Sequence, residues 1–111
     1  MMKKWKPKNW DEFFASGLHC APVKAWEKKL LTSLPKSSAI LDLGCGEGVF
    51  GLAAVRAGHK YFGFDYSPVA IGKANKKLIK HKAVCAKADI NDLNLRRDYD
   101  LIVMRFLVAH L

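Results

Sequence analysis

The sequence predicts an α/β fold, a parallel sheet with helices on both faces. Between Ser38 and Met104, short apolar strand candidates alternate with helical stretches. The first strand runs into an acid and a turn of alternating glycines, Ile40-Leu41-Asp42-Leu43-Gly44-Cys45-Gly46-Glu47-Gly48, and further acids, Asp65 and Asp89, stand at the ends of the next two. Strands joined through helical crossovers lie parallel, and the crossovers are right-handed.

Each element has a local reason. Asn9-Trp10-Asp11-Glu12 reads as a helix start, with Asn9 as cap, Glu12 closing a capping box and Gly17 able to end the helix. A second helix is expected from Pro22 to just before Pro35, with Val23, Trp26, Leu30 and Leu34 as its apolar stripe. Together these two form an N-terminal helical extension over residues 1–37, and the sheet occupies 38–111. Ala39–Gly44 is the first strand, Val49–Ala57 an alanine-rich helix stopped by Gly58, and Tyr61–Asp65 an aromatic-rich strand. Ser67 caps the next helix with Pro68 in its first position, Ile71, Ala74 and Leu78 facing inward and Lys73, Lys76, Lys77 and Lys80 outward. Ala83–Asp89 is the third strand, Ile90–Asp98 a loop and Tyr99–Met104 the fourth strand. The architecture is Rossmann-like.

Composition narrows the partners. At 111 residues there is room for one domain, and half of the residues are apolar. No apolar run approaches the ~20 residues that span a bilayer, and Met1–Lys8 lacks the apolar stretch of a signal peptide, so a cytoplasmic, non-membrane protein is expected. Cys20, Cys45 and Cys85 make no CxxC pair, which fits a reducing compartment, and no ligand cluster suggests a metal. The net charge of +9 is uneven: residues 1–38 carry +5 from eight lysines and three acids, and residues 71–97 carry +6 from eight basic residues and two acids. Such a field suits nucleic acid or another anionic partner, but a lysine row of this kind is more often a solvated helix face.

In an open parallel sheet, ligands lie outside the carboxyl ends of the strands. Asp42 with the glycine turn, Asp65, Asp89 and Arg105 converge on that rim. Gly44 and Gly46 let the backbone approach a ligand closely. Asp65 can accept both hydroxyl hydrogens of a ribose. Asp89 can accept from an exocyclic adenine amine, with Tyr66 and Ile90 against the base. Together they suit an adenosine bearing a cationic amino-acid tail, for which Asp42 supplies negative charge. Taken singly, an acid at a strand end is more often a turn or capping residue. Gly46-Glu47-Gly48-Val49-Phe50-Gly51 also spells GxGxxG with Asp65 at the spacing of a dinucleotide-binding acid, but Glu47 would set a negative charge beside the pyrophosphate. Cys45 has no neighbouring histidine in sequence to activate it and reads as a packing residue.

Leu41–Gly48, Gly63-Phe64-Asp65-Tyr66-Ser67-Pro68, Ala70-Ile71-x-x-Ala74, Ala88-Asp89-Ile90 and Tyr99–Val103 resemble, in order, the motifs of class I S-adenosylmethionine-dependent methyltransferases. The glycine turn and Asp65-x-Ser67-Pro68 look like the small-molecule branch related to thiopurine and tellurite methyltransferases. The resemblance implies S-adenosylmethionine as cofactor, with Gly44, Cys45 and Gly46 at the methionine tail and Asp42 near its ammonium, directly or through water. It implies Asp65 at the ribose, Tyr66, Asp89 and Ile90 at the adenine, and Arg105 at the methionine end. Methyl transfer by direct displacement needs no dedicated base, so no residue is assigned as catalytic, and His110 reads as structural. A small-molecule acceptor is expected. Family members continue with a fifth strand, a helix and a terminal hairpin. The domain is therefore expected to be incomplete after the fourth strand, as a truncated, non-catalytic remnant, as a fragment of a longer protein, or with its open edge completed by a second copy or partner chain.

Overall fold

The computed structural model describes residues 22–81, 83–89 and 98–105. Its elements run α1 (Ala25–Ser33), β1 (Ala39–Leu43), α2 (Val49–Arg56), β2 (Lys60–Asp65), α3 (Pro68–Leu78), β3 (Ala83–Lys87) and β4 (Leu101–Val103). All pairings are parallel and the strand order is β3-β2-β1-β4. The chain steps outward from β1 through β2 to β3 and then returns to the far side of β1, so the order reverses between β1 and β4.

Register assigns the faces, because partners in a parallel pair point the same way. Asp42 pairs with Gly63, Gly63 with Cys85, and Asp42 with Val103. With Ile40 and Tyr61 these residues lie on the face that α2 and α3 cover. Its buried core is Ile40, Cys45, Phe50, Ala54, Tyr61, Ala74, Leu78 and Cys85, with Leu31 of α1 joining from the side. Leu41 and Leu43 are buried on the opposite face, while Val84 and Ile102 there are about half exposed.

Tyr61 fixes how closely the layers meet. Its ring is fully buried, and a β-carbon on Gly51 of α2 would stand 2.5 Å from the ring Cε2. Only a residue without a side chain lets α2 lie this low on β2.

Local signals placed most boundaries. Gly44, at φ 81°, ends β1 one residue early, and Gly58, at φ 90°, follows α2. The Ser67 hydroxyl accepts from the Ala70 amide at 3.2 Å with Pro68 opening α3, as expected. The inner face of α3 is Ala70, Ala74 and Leu78, with Ile71 partly buried; Lys76, Lys77 and Lys80 are exposed, whereas Lys73 is half buried. Strand β3 is shorter than expected at its C-terminal end, and β4 at both ends.

One element departs from its expected face. α1 buries Glu27 and Leu31, and leaves Trp26 65% exposed. The helix is turned by about one residue, ~100°, from the predicted stripe. Two polar contacts outweigh the burial of Trp26: Arg105 pairs with Glu27, and His59 Nε2 donates to the Leu31 carbonyl at 2.6 Å while its Nδ1 accepts from Ser38. Val23 and Leu34 still pack on the core. The helix expected from Asn9 to Gly17, and most of the loop after Asp89, lie outside the described residues.

Candidate functional site

The rim is built where β1 and β2 end. Gly44, Gly46 and Gly48 all have positive φ, at 81°, 56° and 85°. The turn is held to β2 by its own amides, since Gly44 and Cys45 both donate to the Phe64 carbonyl, at 2.7 and 3.0 Å. Gly48 also abuts α3, where a β-carbon would lie 3.2 Å from Ala74 Cβ. The loop thus presents main chain.

Asp65 ties the two strand ends together. One carboxylate oxygen accepts from the Gly46 amide at 2.9 Å and the other from the Ser67 amide at 3.0 Å. The side chain is 8% exposed. Charge-assisted bonds to backbone N–H groups are among the stronger hydrogen bonds. Beside it the Ala88 amide donates to the Asp65 carbonyl at 2.8 Å, which brings the segment leading to Asp89 up to the same rim.

Asp42 lies beneath the loop. Its carboxylate is 2% exposed and accepts from the Tyr61 hydroxyl. Burial pushes its pKa from 3.8 up to about 6, against the opposing pull of the Tyr61 hydrogen bond and the Arg105 charge. The Tyr61 hydroxyl is itself raised well above its usual value, first by burial and then by the neighbouring carboxylate. Both groups favour their neutral forms more than they would in water.

The remaining expected residues divide. Tyr66 is half buried directly after β2, Asp89 is exposed at the rim beyond β3, and Cys45 is buried inside the glycine turn. Ile90 lies outside the described residues, as does His110. Arg105 follows β4 at the switch point, but its side chain turns toward α1. Its Nε lies 2.8 Å from Glu27 Oε2, its Nη2 donates to Glu27 Oε1 and to the Pro22 carbonyl, and its guanidinium sits 5.6 Å from the Phe50 ring centre. Glu27 in turn accepts from the Lys24 amide at 2.9 Å, capping α1. Glu27, Tyr61 and His59 were missed in the sequence. Only the spacing Tyr61, Gly63, Asp65 along one strand face hints at the Tyr61 contact, by putting a tyrosine on the same face as Asp65.

Comparison with known proteins decides the family. The sequence profile of a family described as "Methyltransferase domain" matches residues 40–111. The chain belongs to the methyltransferase-domain family. Among curated relatives of this methyltransferase domain, the cypemycin N-terminal methyltransferase of a Streptomyces species is 31% identical over 65 residues, 59% of this chain and 26% of that protein. Among solved structures, a TehB-like SAM-dependent methyltransferase from Corynebacterium glutamicum is 28% identical, with a TM-score of 0.67 over 92% of this chain and 53% of that one. An S-adenosylmethionine-dependent methyltransferase from Mesorhizobium loti is 32% identical, with a TM-score of 0.60 over 72% and 39%. The chain therefore spans about a quarter to a half of the length of these relatives. No described helix is long and apolar enough to cross a membrane.

Proposed function

We propose that this methyltransferase domain binds S-adenosylmethionine on the rim formed by the ends of β1, β2 and β3, as the methyl donor for a small-molecule acceptor. The observation that carries the reading is the Asp65 carboxylate joined to the Gly46 amide: it brings a ribose-binding acid and a glycine loop into one fixed unit. The donor set fits the cofactor. Main-chain groups of Gly44, Cys45 and Gly46 line the place for the methionine tail, Asp42 sets negative charge beneath its ammonium, and Asp65 faces the ribose. Tyr66, Asp89 and Ile90 would line the adenine.

Bound S-adenosylmethionine supplies a methyl group on a sulfonium, transferred by direct displacement to an acceptor nucleophile. The chain's own task is then to hold the donor's sulfur at a fixed place and keep water from it. Arg105 serves that task indirectly, by fastening α1 beside the switch point; its main chain lies at the methionine end. The likeness of the glycine turn and Asp65-x-Ser67-Pro68 to the small-molecule branch favours a small acceptor, and the exposed Lys76, Lys77 and Lys80 support nucleic acid less directly.

Calorimetric titration of the folded protein with S-adenosylmethionine and S-adenosylhomocysteine tests the reading. Saturable binding of both, lost in Asp65→Ala, is expected; absence of binding by folded protein would sink it. A second reading, in which the sheet is completed across β4 by another copy or chain, draws on Ile102 and Met104, 51% and 46% exposed at that edge. Light scattering tests it, and a clean monomer at micromolar concentration argues against it.

A further inference from the structure

Two cysteines that the donor site does not need lie against each other beneath its glycine loop. Cys45 is the residue between Gly44 and Gly46, and Cys85 is the central residue of β3. Gly63 brings them together. It is the register partner of Cys85, so the Cys85 side chain stands beside it on the helix-covered face. Over Gly63 itself lies Cys45, close enough that a β-carbon there would meet Cys45 Cβ at 2.9 Å and Sγ at 3.0 Å. Both thiols are free, and each is less than a tenth exposed.

They also differ in character. The Cys45 thiol donates to the Gly46 carbonyl at 3.6 Å. The neighbouring Cys45 sulfur lowers the pKa of Cys85, whereas the Cys85 sulfur, burial and the nearby Asp42 raise that of Cys45 well above the usual thiol value. Such a pair has one sulfur that ionises first and a second poised to resolve it.

We propose that Cys45 and Cys85 form a disulfide when the protein meets a hydroperoxide, and that this bond draws the glycine loop out of the shape that receives the donor. The proposal rests on the donor-binding reading for its second half only. The Cys85 thiolate attacks one peroxide oxygen; the O–O bond breaks, the leaving oxygen takes up a proton, and Cys85 becomes a sulfenic acid. Cys45 sulfur then attacks Cys85 sulfur, the S–O bond breaks, and hydroxide leaves with the Cys45 proton as water. Two thiols are oxidised and one peroxide is reduced. A covalent S–S bond, at about 2.05 Å, is shorter than any non-bonded contact between two sulfurs, so one side must move. Cys85 is held within a parallel ladder and its carbonyl accepts from Asn75, whereas the loop depends on the bonds of Gly44 and Cys45 to Phe64 and of Gly46 to Asp65. The loop yields, and Gly46 loses its acceptor.

The test uses the full chain carrying Cys20→Ser, treated with hydrogen peroxide and then with dithiothreitol. Peptide mass mapping should find a Cys45–Cys85 link that dithiothreitol removes and that both Cys85→Ala and Cys85→Ser prevent. Amide exchange across residues 44–48 should quicken in the oxidised protein, a readout that needs no donor. Donor affinity should fall roughly tenfold on oxidation and recover on reduction, while reduced Cys85→Ala keeps it. Oxidation without the link, or a link that leaves loop exchange unchanged, overturns the proposal. Reduced protein that fails to bind the donor overturns the reading of the site instead, and the mass and exchange results still decide the disulfide.

Discussion

Ionised Asp42 destabilises the folded protein at neutral pH because its carboxylate is buried, and the cost can be measured. The folded state holds a proton on Asp42 up to about pH 6, while the unfolded chain releases it near 3.8. Between those values the native state binds more protons, so this group's contribution to stability is complete below about pH 4 and is lost as pH rises through 6. The rise from 3.8 to about 6, at 1.36 kcal/mol for each pH unit, comes to about 3 kcal/mol. Asp42→Asn keeps the shape and leaves an oxygen to accept from the Tyr61 hydroxyl, but cannot ionise. Chemical denaturation of both proteins from pH 4 to pH 8 isolates the effect, because every other titrating group is common to the two. The variant should match the parent near pH 4 and exceed it by up to about 3 kcal/mol at pH 7.5, while losing donor affinity. A flat difference across the range, or a variant less stable than the parent at pH 7.5, refutes the reasoning.

Other outcomes follow from the same contacts. If the proposed site holds, donor affinity of the parent should weaken as pH falls from 7 to 5, since protonating Asp42 removes the negative charge assigned to the ammonium; titration calorimetry at several pH values checks this. Asp65→Ala should weaken donor binding at least about tenfold, roughly 1.4 kcal/mol or more, and also quicken amide exchange at Gly46 and Ser67, which lose their acceptor. Gly51→Ala forces a β-carbon to 2.5 Å from the Tyr61 ring and should cost about 1–3 kcal/mol in unfolding free energy. Arg105→Ala leaves Glu27 buried without its guanidinium and should cost about 3 kcal/mol or more; the double variant Glu27→Gln with Arg105→Met should recover part of that, read by denaturation.

Much of the fold was legible because its signals are local. Gly44, Gly58 and the pair Ser67-Pro68 mark the ends of elements through backbone conformation and capping alone, and the alternation of strand and helix implied a parallel sheet. The rim was legible for a related reason: in a parallel sheet every strand points the same way, so acids at strand ends meet without any knowledge of strand order. What stayed hidden depends on partners far apart in the chain. The face of α1 was misread because its apolar stripe is a local pattern, whereas the burial of Glu27 is decided by Arg105, 78 residues on. The role of the Arg105 side chain was unreadable for the same reason. Tyr61 looked like an ordinary strand aromatic, and its contact with Asp42 emerges only from the β1–β2 register. The nearness of Cys45 to Cys85 needed β3 to lie beside β2, with a glycine in the intervening strand.

The clasp between Arg105 and Glu27 also has a consequence during synthesis. α1 is translated well before β4, and at about 5–20 residues per second several seconds separate Glu27 from Arg105 leaving the ribosome. Through that interval, seating α1 would bury a carboxylate with no cation opposite it, a penalty that Arg105 removes. Arg105 then closes the earliest described part of the chain onto the latest. The first described helix is thus the element whose docking is opposed by an unpaired charge until the last described residue is in place.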